Sequence, residues 1–104
     1  MVHQTYYGEI SDEWQKNWGD AGEDPFQVLK KDNDFKCGDW ETFLSLAPKI
    51  FTDEVQVDWG SFAYKATKDQ LIEMRKKSHG DCRVPNESKL QDGVIYGVVF
   101  IEMY

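Results

Sequence analysis

Val94-Ile95-Tyr96-Gly97-Val98-Val99-Phe100-Ile101-Glu102-Met103-Tyr104 is the stretch that decides the fold. Nine of its eleven residues are apolar or aromatic, and the β-branched and aromatic types among them favour a pleated backbone over a helix. Side chains alternate along a strand. Val94, Tyr96, Val98, Phe100, Glu102 and Tyr104 therefore share one face, and Ile95, Gly97, Val99, Ile101 and Met103 share the other. Both faces are apolar, so the segment is expected to be a central strand, with a core that closes only when this strand is in place.

Upstream, Asp92-Gly93 is a turn signal at the end of a polar loop that runs from His79 and contains Pro85. Before the loop, Thr67-Lys68-Asp69-Gln70 has the form of a capping box, a hydroxyl at the cap and a glutamine three residues on, leading into Leu71, Ile72 and Met74. The basic run Arg75-Lys76-Lys77 complements the negative end of the helix dipole, and Gly80 follows. Further upstream, Val55, Val57 and Trp59 alternate with polar residues, and after Gly60 the phase changes to Phe62, Tyr64 and Ala66. Strand-favouring residues continue on both sides of the glycine. The expectation is one long strand over 54–66 with a bulge at Gly60, in preference to a hairpin.

The first half reads less regularly. Asp39 caps a helix with Trp40, Phe43, Leu44 and Ala47 on one stripe, ended by Pro48, while Lys31 to Gly38 reads as a loop. Ser11, followed by Asp12 and Glu13, opens a short helix with Trp14 and Trp18 four apart on one face. Asp24-Pro25 opens another that carries Phe26 and Leu29. His3 to Ile10 reads as an edge strand. These elements predict a small α+β fold, a single domain over residues 1–104. Its antiparallel or mixed sheet would contain strands near 3–10, 54–66 and 94–104, with the C-terminal strand central and helices packed on one face.

Charge is divided along the chain. The net charge is −7, but residues 1–64 carry thirteen acids against five lysines, a balance of −8, while residues 65–104 carry six acids against seven bases, a balance of +1. The acidic part repels phosphate backbones and anionic lipid and steers basic partners inward, which disfavours direct nucleic-acid binding and a membrane role. No stretch is apolar for long enough to span a bilayer. Met1 to Tyr7 is too polar for a secretory leader, so a cytoplasmic location is expected, with Cys37 and Cys82 as reduced thiols.

No motif names a reaction. Phosphate-loop, serine-elbow and zinc-protease signatures are absent from the sequence. His79 and Cys82, joined by Cys37 and His3, would supply two sulfur and two nitrogen ligands, but a zinc site presents two close ligand pairs and here only one pair is close. The bland account is a loop histidine beside a buried thiol. Asp32-x-Asp34 resembles the start of a calcium loop, yet the position that should hold its bidentate glutamate is Phe43. Accordingly no catalytic residue, metal site or cofactor is expected.

Two functional classes remain. The first is a non-enzymatic acidic module that binds, and by binding inhibits or neutralises, a basic protein surface; small immunity and inhibitor proteins are comparable in charge and size alone. Its contact residues would be Asp12, Glu13, Trp14, Trp18, Asp20, Glu23 and Asp24, aromatics set among carboxylates. Against this, tryptophans at such spacings more often line a core. The second class is a small-ligand-binding protein or minor enzyme with a pocket between the sheet and the loops at 19–39 and 79–92. Tyr6, Tyr7, Trp59, Tyr64, His79 and Cys82 are its candidates.

Overall fold

A computed structural model of the chain describes residues 2–10, 35–58 and 61–103. The chain is α+β, with a four-stranded antiparallel sheet, a separate two-stranded ribbon and two helices among the described residues. In chain order the elements are β1 (Val2–Glu9), β2 (Lys36–Cys37), α1 (Trp40–Ile50), β3 (Asp53–Asp58), β4 (Ser61–Ala66), α2 (Lys68–Lys77), β5 (Cys82–Arg83) and β6 (Tyr96–Met103). A short 3-10 turn, Glu87–Lys89, lies between β5 and β6.

β6 is central, as its two apolar faces require. The sheet order is β1-β6-β4-β3, with β1 and β3 at the edges. Thr5 lies opposite Phe100 and Tyr7 opposite Val98, while on the other side of β6 Phe62 faces Phe100 and Tyr64 faces Val98. Cross-strand partners share a face, so Tyr7, Tyr64, Ala66, Tyr96, Val98 and Phe100 form one continuous apolar surface. The opposite face holds Val99 with Ala63 and Tyr6. Phe100 and Val99 are both fully buried, one on each face.

Both helices contribute to the core on the Phe100 side. Asp39 caps α1: its carboxylate accepts the backbone N–H of Glu41 at 3.1 Å and the hydroxyl of Thr42 at 2.6 Å. From α1, Phe43 stacks on Phe100 with ring centroids 4.3 Å apart and meets Tyr64 edge-on at 5.9 Å. Burial of each such ring is worth on the order of 2–3 kcal/mol before the entropy of ordering is counted. α2 starts at the expected capping box: Thr67 Oγ1 accepts the Gln70 N–H at 3.3 Å, and Gln70 Oε1 accepts the Thr67 N–H at 2.9 Å. Gln70 Nε2 also donates to the Ile50 carbonyl, tying the start of α2 to the end of α1. Leu71 and Met74 fill the core from α2.

Several sequence expectations are corrected. Residues 54–66 form a hairpin, with Glu54 opposite Tyr64 and Asp58 opposite Ser61; the phase change that suggested a bulge marks the reversal. The pairing still contains an irregularity, between Gln56 and Asp58. Pro48 lies inside the last turn of α1, which continues to Ile50. Proline there removes one N–H bond but leaves the Phe51 N–H free to close on the Ala47 carbonyl. The first left-handed residue after α2 is His79, with φ of 53°, ahead of Gly80. Gly93 of the Asp92-Gly93 turn also has positive φ, 80°. The expected helices near 11–18 and 25–29 lie outside the described residues.

The thiols are also corrected. Cys37 and Cys82 are joined in a disulfide, directly opposite each other in the β2–β5 ribbon, with Cα atoms 4.1 Å apart. Both are buried against Phe35, Val84 and the main core. The bond closes a loop of sequence separation 45, which on chain-entropy grounds stabilises the fold by about 4 kcal/mol. Urea unfolding of the oxidised chain and of a Cys37→Ala/Cys82→Ala variant should therefore differ by roughly that amount, within about 2–5 kcal/mol. Superimposable curves would show that the ribbon adds nothing to global stability.

Candidate functional site

The residues expected to meet a basic partner, Asp12, Glu13, Trp14, Trp18, Asp20, Glu23 and Asp24, all lie outside the described residues. What the structure adds is the state of other acids in residues 1–64. Glu9, Asp39, Glu41, Asp53 and Glu54 are exposed. Asp39 is occupied as the cap of α1, and its bonds from Thr42, side chain first, hold its carboxyl below the ordinary 3.8. Glu9, Glu41 and Glu54 have no ion-pair partner among the described residues. In the ion pairs between described residues, Lys68 with Asp92 at 3.8 Å and Lys77 with Glu73 at 2.9 Å, both partners belong to residues 65–104. The charge division of the sequence therefore persists in the described part of the fold. Asp53 and Glu54 also sit on the sheet's exposed edge strand β3, where charge blocks pairing with another chain.

The residues of the expected ligand pocket are not gathered into one place. Tyr6 and Tyr7 are consecutive on β1 and face opposite sides of the sheet. Tyr7 is stacked between Tyr96, at 5.3 Å, and Phe35, at 6.4 Å. Tyr64 lies in the core between Phe43 and Phe51. His79 is exposed at the exit of α2, Cys82 is buried in the disulfide, and Trp59 lies outside the described residues. The two sulfurs of the zinc-like arrangement are bonded to each other and cannot both ligate a metal as thiolates. Among the described residues no group of three or more His, Cys, Asp or Glu side chains could hold a metal ion.

A recess does form elsewhere. One wall is the exposed side of α2, with Ile72, Arg75 and Lys76 at helical spacing, and the other is the loop after β5, with Pro85 and Glu87. Its volume is about 300 Å³. Sequence reading placed Ile72 in the helix after the capping box and Arg75 and Lys76 at its end, and from the loop at 79–92 it singled out His79 and Cys82, not Pro85 or Glu87. The recess depends on the loop being held against α2, where the buried Ser78 hydroxyl bridges the helix to the Cys82 carbonyl, and neither that contact nor the disulfide at Cys82 was foreseen.

Among the described residues no helix is long and apolar enough to cross a membrane. No family model, curated protein or solved structure matches the chain.

One buried polar atom stands out in the core. The Tyr64 hydroxyl makes no hydrogen bond of full geometry among the described residues, although the Glu54 carboxylate lies close enough to interact with it. Burial pushes its pKa well above the ordinary 10.0, and the negative charge of Glu54, its cross-strand neighbour, pushes it further. The folded state thus keeps this proton where the unfolded chain releases it. The associated stability is complete below pH 10 and is lost as pH rises from there toward the folded value. Replacement by phenylalanine removes an unsatisfied hydroxyl without opening a cavity. Tyr64→Phe should therefore be neutral or up to about 1 kcal/mol more stable at pH 7, and should lose less stability than the wild type between pH 9 and 11. Thermal melts across that range check both statements; a variant less stable at pH 7 would show that the hydroxyl has a partner.

Proposed function

We propose that the chain is a non-enzymatic protein-binding module whose acidic part, residues 1–64, engages a basic surface on another protein and thereby inhibits or neutralises it. The observation that supports this reading most directly is the charge division. The first part carries −8, and within it exposed Glu9, Glu41 and Glu54 have no neutralising ion pair among the described residues. Like charges held within a Debye length of about 8–10 Å repel and cost stability, so a fold shaped for stability alone tends to interleave them with lysines. A basic partner converts that repulsion into attraction. The same field repels nucleic-acid phosphates, so the partner in this reading is a protein.

Location follows less directly. The expectation of a cytoplasmic protein rested on the polar segment Met1 to Tyr7 and led to reduced thiols, whereas Cys37 and Cys82 are bonded. Bonded pairs persist most readily in oxidising compartments.

The contact surface is assigned to Asp12, Glu13, Trp14, Trp18, Asp20, Glu23 and Asp24. In a pull-down from native lysate, a basic protein should be retained at low salt and released at high salt. The double variant Glu23→Lys/Asp24→Lys should weaken its binding by about tenfold, mainly through slower association. A melt of the same variant separates binding from folding. Unchanged binding would sink the acidic-surface reading, and lost folding would show that Asp24 serves as a helix cap.

A further inference from the structure

From the recess between α2 and the loop after β5 we infer a second site, opposite in sign to the acidic part and independent of the reading above: a binding site for a small carboxylate with an apolar body. Half-buried Ile72 supplies the accessible apolar surface, and Pro85, fully buried, lines the recess as part of the packed structure. Arg75 and Lys76 supply two cations at the same place, both exposed and neither in an ion pair among the described residues. Neighbouring Lys77, by contrast, is paired with Glu73. Glu87 lines the recess too but forms no ion pair with Arg75 or Lys76 among the described residues.

The geometry is held from both sides. Ser78, buried at the end of α2, has its hydroxyl 3.1 Å from the Arg75 carbonyl and 3.0 Å from the Cys82 carbonyl, bridging the helix to β5. The disulfide fixes Cys82 on its other side. Asn86 then caps the 3-10 turn by accepting the Ser88 N–H, which sets the direction of the chain at Glu87. A site whose walls are already ordered loses less entropy on binding.

Part of the basic character has a plain structural origin, since cations in the last turn of a helix offset its dipole. That origin does not account for an apolar surface placed beside them. Because the helix end carries about half a negative charge, the preference for anions rests on the Arg75 and Lys76 side chains, and binding is weak. Lys36 and Arg83, exposed and directly opposite each other on β2 and β5, add positive charge at the start of the same loop.

The test is a titration of the full, oxidised chain with 4-methylpentanoate, followed by backbone amide shifts. Acetate controls for the apolar body and 3-methylbutylamine for the sign of charge. Shifts in residues 72–76 and at Val84, Asn86 and Glu87 should saturate with a dissociation constant on the order of 1 mM. Acetate should bind at least about tenfold more weakly and the amine should leave these amides unmoved. Arg75→Gln/Lys76→Gln should abolish saturation while the melting temperature stays near that of the wild type, and Glu87→Gln should tighten binding a few-fold. No saturable shift, equal binding of acetate or the amine, saturation that survives the glutamine pair, or binding left unchanged or weakened by Glu87→Gln would each overturn the assignment. None of these outcomes depends on whether residues 1–64 bind a basic protein.

Discussion

The pairing of β6 on both sides is the constraint on which the rest of the structure depends. β1 and β4 both read their register from it, and that register decides which residues face the helices. A slip of one residue would turn Val98 and Phe100 away from Phe43 and put Val99 in their place, with Gly97 and Ile101 alongside. Such a slip is costly here because the two faces differ in size. One holds Tyr64 and Phe100 against Phe43 of α1 with Tyr96 beside Tyr7, and the other holds Gly97, Val99 and Ala63 with Tyr6. The central strand pairs with β1 from the other end of the described chain, so its closure carries the loop entropy of nearly the whole sequence. The contacts that reward closure, above all the Phe43–Phe100 stack, exist only once α1 and β6 have met.

The β2–β5 ribbon works at a different scale. Each strand has two residues, too few for a ladder to hold by itself, and one of the two cross-strand pairs sets Lys36 against Arg83. The disulfide overcomes both weaknesses by tying the ribbon together at Cys37 and Cys82. Phe35 and Val84, each next to a ribbon strand, are thereby drawn into the core beside Tyr7 and Tyr96. The loop between β5 and β6 acquires a fixed start, and Tyr96, accepting the Gln91 N–H at 2.7 Å, gives it a fixed end.

How much of this was legible follows from the range of each signal. The capping box at Thr67, the N-cap at Asp39 and the apolar run of 94–104 are local patterns whose physics acts within a few residues, and each element begins within two residues of where it was read, though α1 runs past Pro48. The hairpin at 53–66 was missed because alternation carries no direction: a phase change at Gly60 is written identically by a bulge and by a reversal. Asp53 opposite Lys65 is a complementary pair that only the hairpin creates, and it was present in the sequence. β2 and β5 are shorter than one period of any pattern. The disulfide joins residues that nothing nearby in sequence connects, and the recess is assembled from a helix face and a loop that no local pattern links. The expected pocket residues were chosen by chemistry alone, and the sheet distributes them: alternation separates Tyr6 from Tyr7, and packing under α1 consumes Tyr64.

The two proposed sites, opposite in sign, are compatible on so small a domain because water and salt shorten the reach of charge. At physiological ionic strength the Debye length is about 8 Å, so the potential in a recess is set by the side chains that line it and their immediate neighbours. A net charge of −7 therefore does not make every surface repel anions. At the end of α2 the nearest charges are those of Arg75 and Lys76, with Glu87 as the opposing group, and the acids of the first part count only where the fold brings them within that length. What the net charge does govern is the long-range approach of a large partner, whose charges sum over many ångströms of surface. Under the two proposals, local side chains would select a small ligand while the summed field would select a protein, and one chain could carry both preferences without contradiction.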